Sequence, residues 1–172
     1  MISIVGYSGS GKTHLIRKII KRLSNKGFVL IAVKNTHHKT LESPLNKDSE
    51  MMYKEGAQSV IAVSDEDLII RSKHNYRPRF DELISQVARS TDLVICEGIR
   101  DPDLPKIWVG DEMPTDGSIQ NLVATVDNKQ SGQDAGVLRF SSDDVDQISH
   151  FIVSNFVRYQ RLADVMKNAA KS

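Results

Sequence analysis

The chain opens on a short apolar run, Ile2–Val5, that stops at Gly6, the pattern of a buried strand. Leu15, Ile16, Ile19, Ile20 and Leu23 then recur at the spacing of one helix face. Arg17, Lys18, Lys21 and Arg22 share the opposite face, and Gly27 supplies a stop. Residues 28–33 are six apolar residues without alternation, which predicts a parallel strand covered on both faces. Positions 34–47 are polar and irregular. A short helix is expected from about Asp48 to Glu55, ending at Gly56. Ser59–Val63 and residues 68–71 read as a hairpin around Asp65 and Glu66. Phe80, Leu83, Ile84 and Val87 mark another helix, and residues 93–96 another buried strand. Residues 107–109, 122–126 and 137–140 are three more strand candidates. A last helix is expected near Asp144, where Ser141 and Asp144 have capping-box spacing. Its inner face would be Val145, Ile148, Ile152, Phe156 and Leu162. Strands alternating with helices predict an α/β fold: a mostly parallel sheet with helices on both faces, plus an added β-hairpin.

Length and composition narrow the class. The 172 residues suit a single domain spanning 1–172, large enough to bury roughly 70% of its unfolded surface without staples. Cys96 is the only cysteine, which excludes an internal disulfide and favours a reducing compartment. Neither a signal-peptide pattern nor an apolar run near the ~20 residues of a membrane span is visible. A cytoplasmic protein without membrane association is expected.

The formal net charge of +1 hides an asymmetry. Residues 1–41 hold eight Lys or Arg and no acid, whereas residues 101–150 hold ten acids and three bases. A basic block of this kind serves either nucleic acid or a phosphate-binding loop. Few aromatics interleave with the bases, so the second reading is preferred and a nucleic-acid partner is not expected.

Gly6-Tyr7-Ser8-Gly9-Ser10-Gly11-Lys12-Thr13 fits the pattern G-x-x-x-x-G-K-[ST] and lies between a predicted strand and a predicted helix. The chemistry needs these residue types. Gly6, Gly9 and Gly11 let backbone N–H groups, with those of Ser8, Ser10 and His14, turn toward phosphate oxygens. The helix that follows points the positive end of its dipole at the same anion. Lys12 would reach the outer phosphates and stabilise them, and the Thr13 hydroxyl would coordinate Mg²⁺.

Such a site also needs an acid at the end of another buried strand. Glu97 meets this requirement, following four apolar residues and preceding Gly98, 97 − 13 = 84 residues after Thr13. Cys96 reads as a small core residue rather than a nucleophile. Lys34-Asn35-Thr36-His37-His38-Lys39 follows the second strand, on the sheet edge that carries the phosphate loop. His37 and His38 alone do not complete a zinc or nickel ligand set. Asp48 would begin the next helix, as a cap or as a ligand to metal or water.

In these residues the chain resembles the molybdopterin-guanine dinucleotide biosynthesis protein B family. The resemblance runs through the phosphate loop, Lys34-Asn35-Thr36-His37-His38, Lys47-Asp48-Ser49 with Gly56-Ala57, residues 92–98 and Lys106-Ile107, so it spans residues 1 to about 110. The chain departs from the family pattern at Asn35, where a His is usual. It departs again at Lys39, where an acid is usual, and at Leu45-Asn46, where Pro-Gly is usual. The resemblance implies a GTP-binding, Mg²⁺-dependent accessory protein, a slow GTPase at most. Such a protein assists the guanylyltransferase that builds the guanine-dinucleotide form of molybdenum cofactor, and it also meets molybdopterin or molybdoenzymes. Family members are homodimers, which would give the hairpin an interface role.

Two other readings fit the same loop. A P-loop kinase for a small molecule would need cations over the transferred phosphate, and Arg71, Arg77, Arg79 and Arg100 are available. A metal-delivery GTPase would draw on His37 and His38. The base is left open by the residues alone: Asn128-Lys129-Gln130-Ser131 ends in Ser where Asn-Lys-x-Asp would carry a carboxylate, with Asp127 or Asp134 as substitutes.

Overall fold

The computed structural model describes residues 1–35, 45–73, 78–129, 132–134 and 136–157. In chain order the elements are β1 (Ile2–Val5), α1 (Lys12–Asn25), β2 (Leu30–Lys34), α2 (Lys47–Lys54), β3 (Ser59–Val63), β4 (Leu68–Ser72) and α3 (Pro78–Val87). A 3-10 turn follows at Ala88–Ser90, then β5 (Leu93–Glu97), β6 (Lys106–Val109), β7 (Leu122–Asp127), β8 (Gly132–Asp134), β9 (Val137–Ser141) and α4 (Val145–Phe156). Two compact units divide them: residues 1–36 with 88–172, and residues 37–87.

The larger unit is a seven-stranded sheet in the order β2-β5-β1-β6-β7-β9-β8. Every pairing is parallel except that of β8 with β9. Ile2 and Ile4 of β1, Leu93 and Ile95 of β5, and Ile107 and Val109 of β6 share one face. Leu15, Ile16, Ile19 and Leu23 of α1 cover that face, joined by Ile148 and Ile152 of α4, so both helices lie on one side of the sheet. Each side chain so buried stabilises the fold by roughly 1.5–3 kcal/mol. The Arg22–Asp146 ion pair joins the two helices at 2.6 Å, but it is exposed and contributes about 1 kcal/mol at most.

The opposite face of the central strands is also buried, with Ser3, Val5, Val94, Cys96, Lys106 and Trp108. Its polar groups are satisfied by loops. Ser3 Oγ donates to the Ile99 carbonyl at 2.6 Å, and Trp108 Nε1 to that of Glu112 at 3.0 Å. Lys106 Nζ donates to the carbonyls of Asp101 and Leu104, which ties residues 101–104 to the strand. Burial pushes the Cys96 thiol pKa up, as befits a core residue.

Three expectations change. β2 is not a strand covered on both faces: it begins at Leu30 and forms the edge of the sheet, partly exposed, because β5 pairs between it and β1. At α4 the cap is Asp144, whose carboxylate accepts from the Gln147 amide at 3.3 Å, rather than Ser141. Residues 132–134 carry no apolar alternation, yet they pair with β9 as β8. The expected inner-face residue Leu162 lies outside the described residues.

In the smaller unit Asn46 caps α2, accepting from the Ser49 amide at 2.9 Å, and Asp48 follows in the first turn. The hairpin pairs Ile61 with Ile70 and Val63 with Leu68, closed where the Asp67 amide donates to Ser64 Oγ at 2.9 Å. Val60 is buried, and α2 packs on β3. Arg71 pairs with Glu50 and lies 4.2 Å above the Tyr53 ring. No helix among the described residues is long and apolar enough to cross a membrane.

Candidate functional site

The turn between β1 and α1 is shaped by close backbone approach. A Cβ on Gly6 would fall 2.3 Å from the Val109 carbonyl oxygen and 2.7 Å from Ser10 Oγ, so no larger residue fits there. Gly11 stands before α1 with φ 90°, a left-handed conformation that a side chain would strain. No side chain caps this helix and its first turn holds no acid, so its positive end is left open to an anion. Tyr7, Ser8 and Gly9 at the crest are exposed, as are Thr13 and His14 in the first turn.

Lys12 folds back over the turn. Its ammonium donates to the Tyr7 carbonyl and lies 3.5 Å from Ser10 Oγ. Burial holds its pKa below the ordinary value; Glu97 acts in the opposite sense, while Lys34 and Arg100 add to the lowering. Lys12 thus shares its surroundings with two further cations and one carboxylate, which is an environment for a polyanion.

Glu97 arrives from the middle of the chain, at the end of β5. Parallel pairing sets Ile4 beside Glu97, and the Gly98 amide donates to the Ile4 carbonyl at 3.0 Å. The carboxylate meets the Thr13 hydroxyl, which is 2.8 Å from Oε1 and 2.9 Å from Oε2. On the other side β2 pairs Lys34 with Glu97, and the Lys34 ammonium lies 3.2 Å from Oε1 and 3.3 Å from the Thr13 hydroxyl. A hydroxyl and a carboxylate with a cation already against them are a donor set that fits a hard divalent ion such as Mg²⁺.

The structure therefore brings Gly6, Ser8, Gly9, Ser10, Gly11, Lys12, Thr13 and Glu97 to one end of the parallel strands. Asp48 belongs to the smaller unit, in the first turn of α2. His37, His38 and Arg77 lie outside the described residues. Of the other arginines, Arg71 is engaged with Glu50 in the smaller unit. Asp127 is buried, with one carboxylate oxygen accepting from the Lys129 amide at 2.8 Å. The neighbouring Asn128 accepts from the Ser142 hydroxyl at 2.9 Å and donates its amide to Asp111 at 3.3 Å. Lys34 is a site residue that the sequence alone does not single out. Its signal was a base closing a strand at the phosphate-loop edge of the sheet, which carries meaning only once β2 is known to neighbour β5.

Comparison with known proteins identifies the family and the fold. A family model described as molybdopterin guanine dinucleotide synthesis protein B matches residues 1–128. The chain is 36% identical over 108 residues to the molybdopterin-guanine dinucleotide biosynthesis adapter protein of Haemophilus influenzae, covering 62% of this chain and 61% of that relative. It is 29% identical over 113 residues to the protein of the same name from Escherichia coli, covering 62% and 63%. The match therefore spans less than two thirds of the length of either curated relative. The crystal structure of a molybdopterin-guanine biosynthesis protein B superposes with a TM-score of 0.68 at 28% identity, over 89% of this chain and 96% of that one. Bacillus subtilis MobB superposes with a TM-score of 0.72 at 21% identity over 89% and 95%, a likeness of fold.

Proposed function

The chain belongs to the molybdopterin guanine dinucleotide synthesis protein B family (MobB), and from that premise we propose that it is a GTP-binding accessory protein of molybdenum-cofactor biosynthesis. The observation that carries this reading is the contact of the Thr13 hydroxyl with Glu97 beside an uncapped helix N-terminus. Loop amides and the first turn of α1 would hold the phosphate chain, and Lys12 would exchange its Tyr7 carbonyl for a phosphate oxygen. Thr13 and Glu97 would hold Mg²⁺, which supplies neutralising charge at the phosphate oxygens.

The partner would be the guanylyltransferase that joins GMP to molybdopterin, with molybdopterin and molybdoenzymes as further contacts, in the cytoplasm. A second copy of the chain would cover the hairpin, where Ile61, Val63, Leu68 and Ile70 form one exposed apolar strip. An efficient GTPase positions its water with a dedicated side chain and adds an arginine. Arg100 acts electrostatically on Lys12, and no water-positioning group is assigned among the described residues. Turnover by the isolated protein is accordingly expected below about 1 per second. Competition of GTP against ATP with Mg²⁺, followed by steady-state hydrolysis, tests the reading. Preference for ATP, or several turnovers per second without a partner, overturns it and favours a small-molecule kinase or an autonomous GTPase.

A further inference from the structure

Lys34 is the last residue of β2, and the β2–β5 register sets it directly beside Glu97, the last residue of β5. Their side chains meet on the same side of the sheet edge as Thr13. Because the Thr13 hydroxyl donates to Glu97, the Lys34 ammonium donates to the lone pair that hydroxyl has left. That lone pair and that carboxylate are the donors a hard divalent cation would use. Ammonium and metal cannot hold both at once. The two partners differ in freedom, since the Lys34 side chain is 59% exposed and that of Glu97 only 13%. Glu97 stays in place while the lysine stem can swing into water.

We infer that Lys34 is a tethered counter-cation of the metal position, neutralising Glu97 and occupying the Thr13 hydroxyl until a divalent ion replaces it. The inference rests on the Mg²⁺-dependent nucleotide reading above. It has a physical purpose in that reading: without a cation, the Glu97 charge would face the incoming phosphates and repel them. Lys34 masks that charge before the metal is in place and yields afterwards. An ion pair whose lysine is largely exposed commands about two- to fivefold in an equilibrium, so the exchange moderates metal affinity without closing the site.

Manganese, which suits the same oxygen donors and whose free ion is counted by its paramagnetic resonance signal, provides the test. The full chain with saturating GDP is titrated with Mn²⁺ as wild type and as Lys34→Met. The midpoint for Lys34→Met is expected two- to fivefold below that of wild type, because the competing cation is gone. A midpoint equal to or above the wild-type value, in a variant with wild-type circular dichroism, overturns the inference and leaves Lys34 an ordinary surface pair. Lys34→Gln, which keeps a polar end on the edge strand, makes the same comparison should Lys34→Met fail to fold. Wild type that takes up no Mn²⁺ with nucleotide overturns the nucleotide reading itself, and the inference with it, so the two failures are distinguishable.

Discussion

Thr13 and Glu97 stand 84 residues apart in the chain, yet the hydroxyl of one lies 2.8 and 2.9 Å from the two carboxylate oxygens of the other. The contact depends on Glu97 being the last residue of β5 and on β5 pairing with β1, whose turn leads into α1. Glu97→Gln keeps the shape and an acceptor for Thr13 but removes the charge. The Mg²⁺ concentration for half-maximal nucleotide binding is expected to rise about tenfold, the worth of one charge-assisted contact. Affinity in the absence of metal should move far less. Superimposable Mg²⁺ titration curves would reduce Glu97 to a structural partner of Thr13.

Lys12→Ala removes an ammonium that is partly buried and held by the Tyr7 carbonyl, with little loss of packing. Triphosphate affinity should fall about a hundredfold while the thermal transition stays near that of wild type. A pH dependence follows from the same side chain. Its pKa is lowered, chiefly by burial, and phosphate oxygens would favour the charged form again. Nucleotide binding therefore takes up a proton in alkaline solution. Affinity is fully present below the lowered pKa and declines as pH rises through it, and Lys12→Ala should lack this decline. Fluorescent-nucleotide titrations across that range decide the point.

Lys106 has its ammonium in the interior with the Asp101 and Leu104 carbonyls as partners. Lys106→Met takes the Lys106 donor from the Leu104 carbonyl and leaves the Asp101 carbonyl with the Leu104 amide alone, and should cost about 2 kcal/mol in denaturant unfolding. Here too burial holds the pKa below its ordinary value, with Asp101 and Asp103 acting in the opposite sense. The folded state thus sheds the proton first as pH rises. The penalty for burying the charge is full below the lowered pKa and vanishes above the ordinary one. The stability of wild type relative to Lys106→Met should accordingly grow across that alkaline window; a difference that shrinks would contradict the sign.

Ile61, Val63, Leu68 and Ile70 are between 42% and 75% exposed on one side of the hairpin, while Val60 on the other side is buried. Charges placed on the exposed side disturb no internal packing. Ile61→Glu combined with Leu68→Lys should therefore convert a dimer to a monomer in light scattering and leave the unfolding transition of the monomer unchanged. A variant that keeps the wild-type mass at low micromolar concentration would remove the hairpin from the interface.

Much of the site was legible in the chain because its chemistry is local. The phosphate loop needs glycine at positions of close approach or positive φ, and a Lys-Thr pair at the helix start, all within eight consecutive residues. The strands of the central sheet were legible for a similar reason, since burial on both faces leaves runs such as Leu93-Val94-Ile95-Cys96 without polar interruption. Edges were not. β2 has the composition of a covered strand but stands at the border, and β8 has no strand composition yet pairs with β9, because hydrogen-bonding position is set by neighbours and not by residue type. Local periodicity also located the start of α4 but not its cap, since Ser141 and Asp144 both accept hydrogen bonds and only backbone geometry selects Asp144. Most of all, the strand order decided the site. By itself the sequence determined which residues could bind phosphate and that an acid was available at Glu97. Placing β5 between β1 and β2 brought Glu97 to Thr13 and Lys34 to both, a relation of neighbours across a sheet that no spacing along the chain encodes.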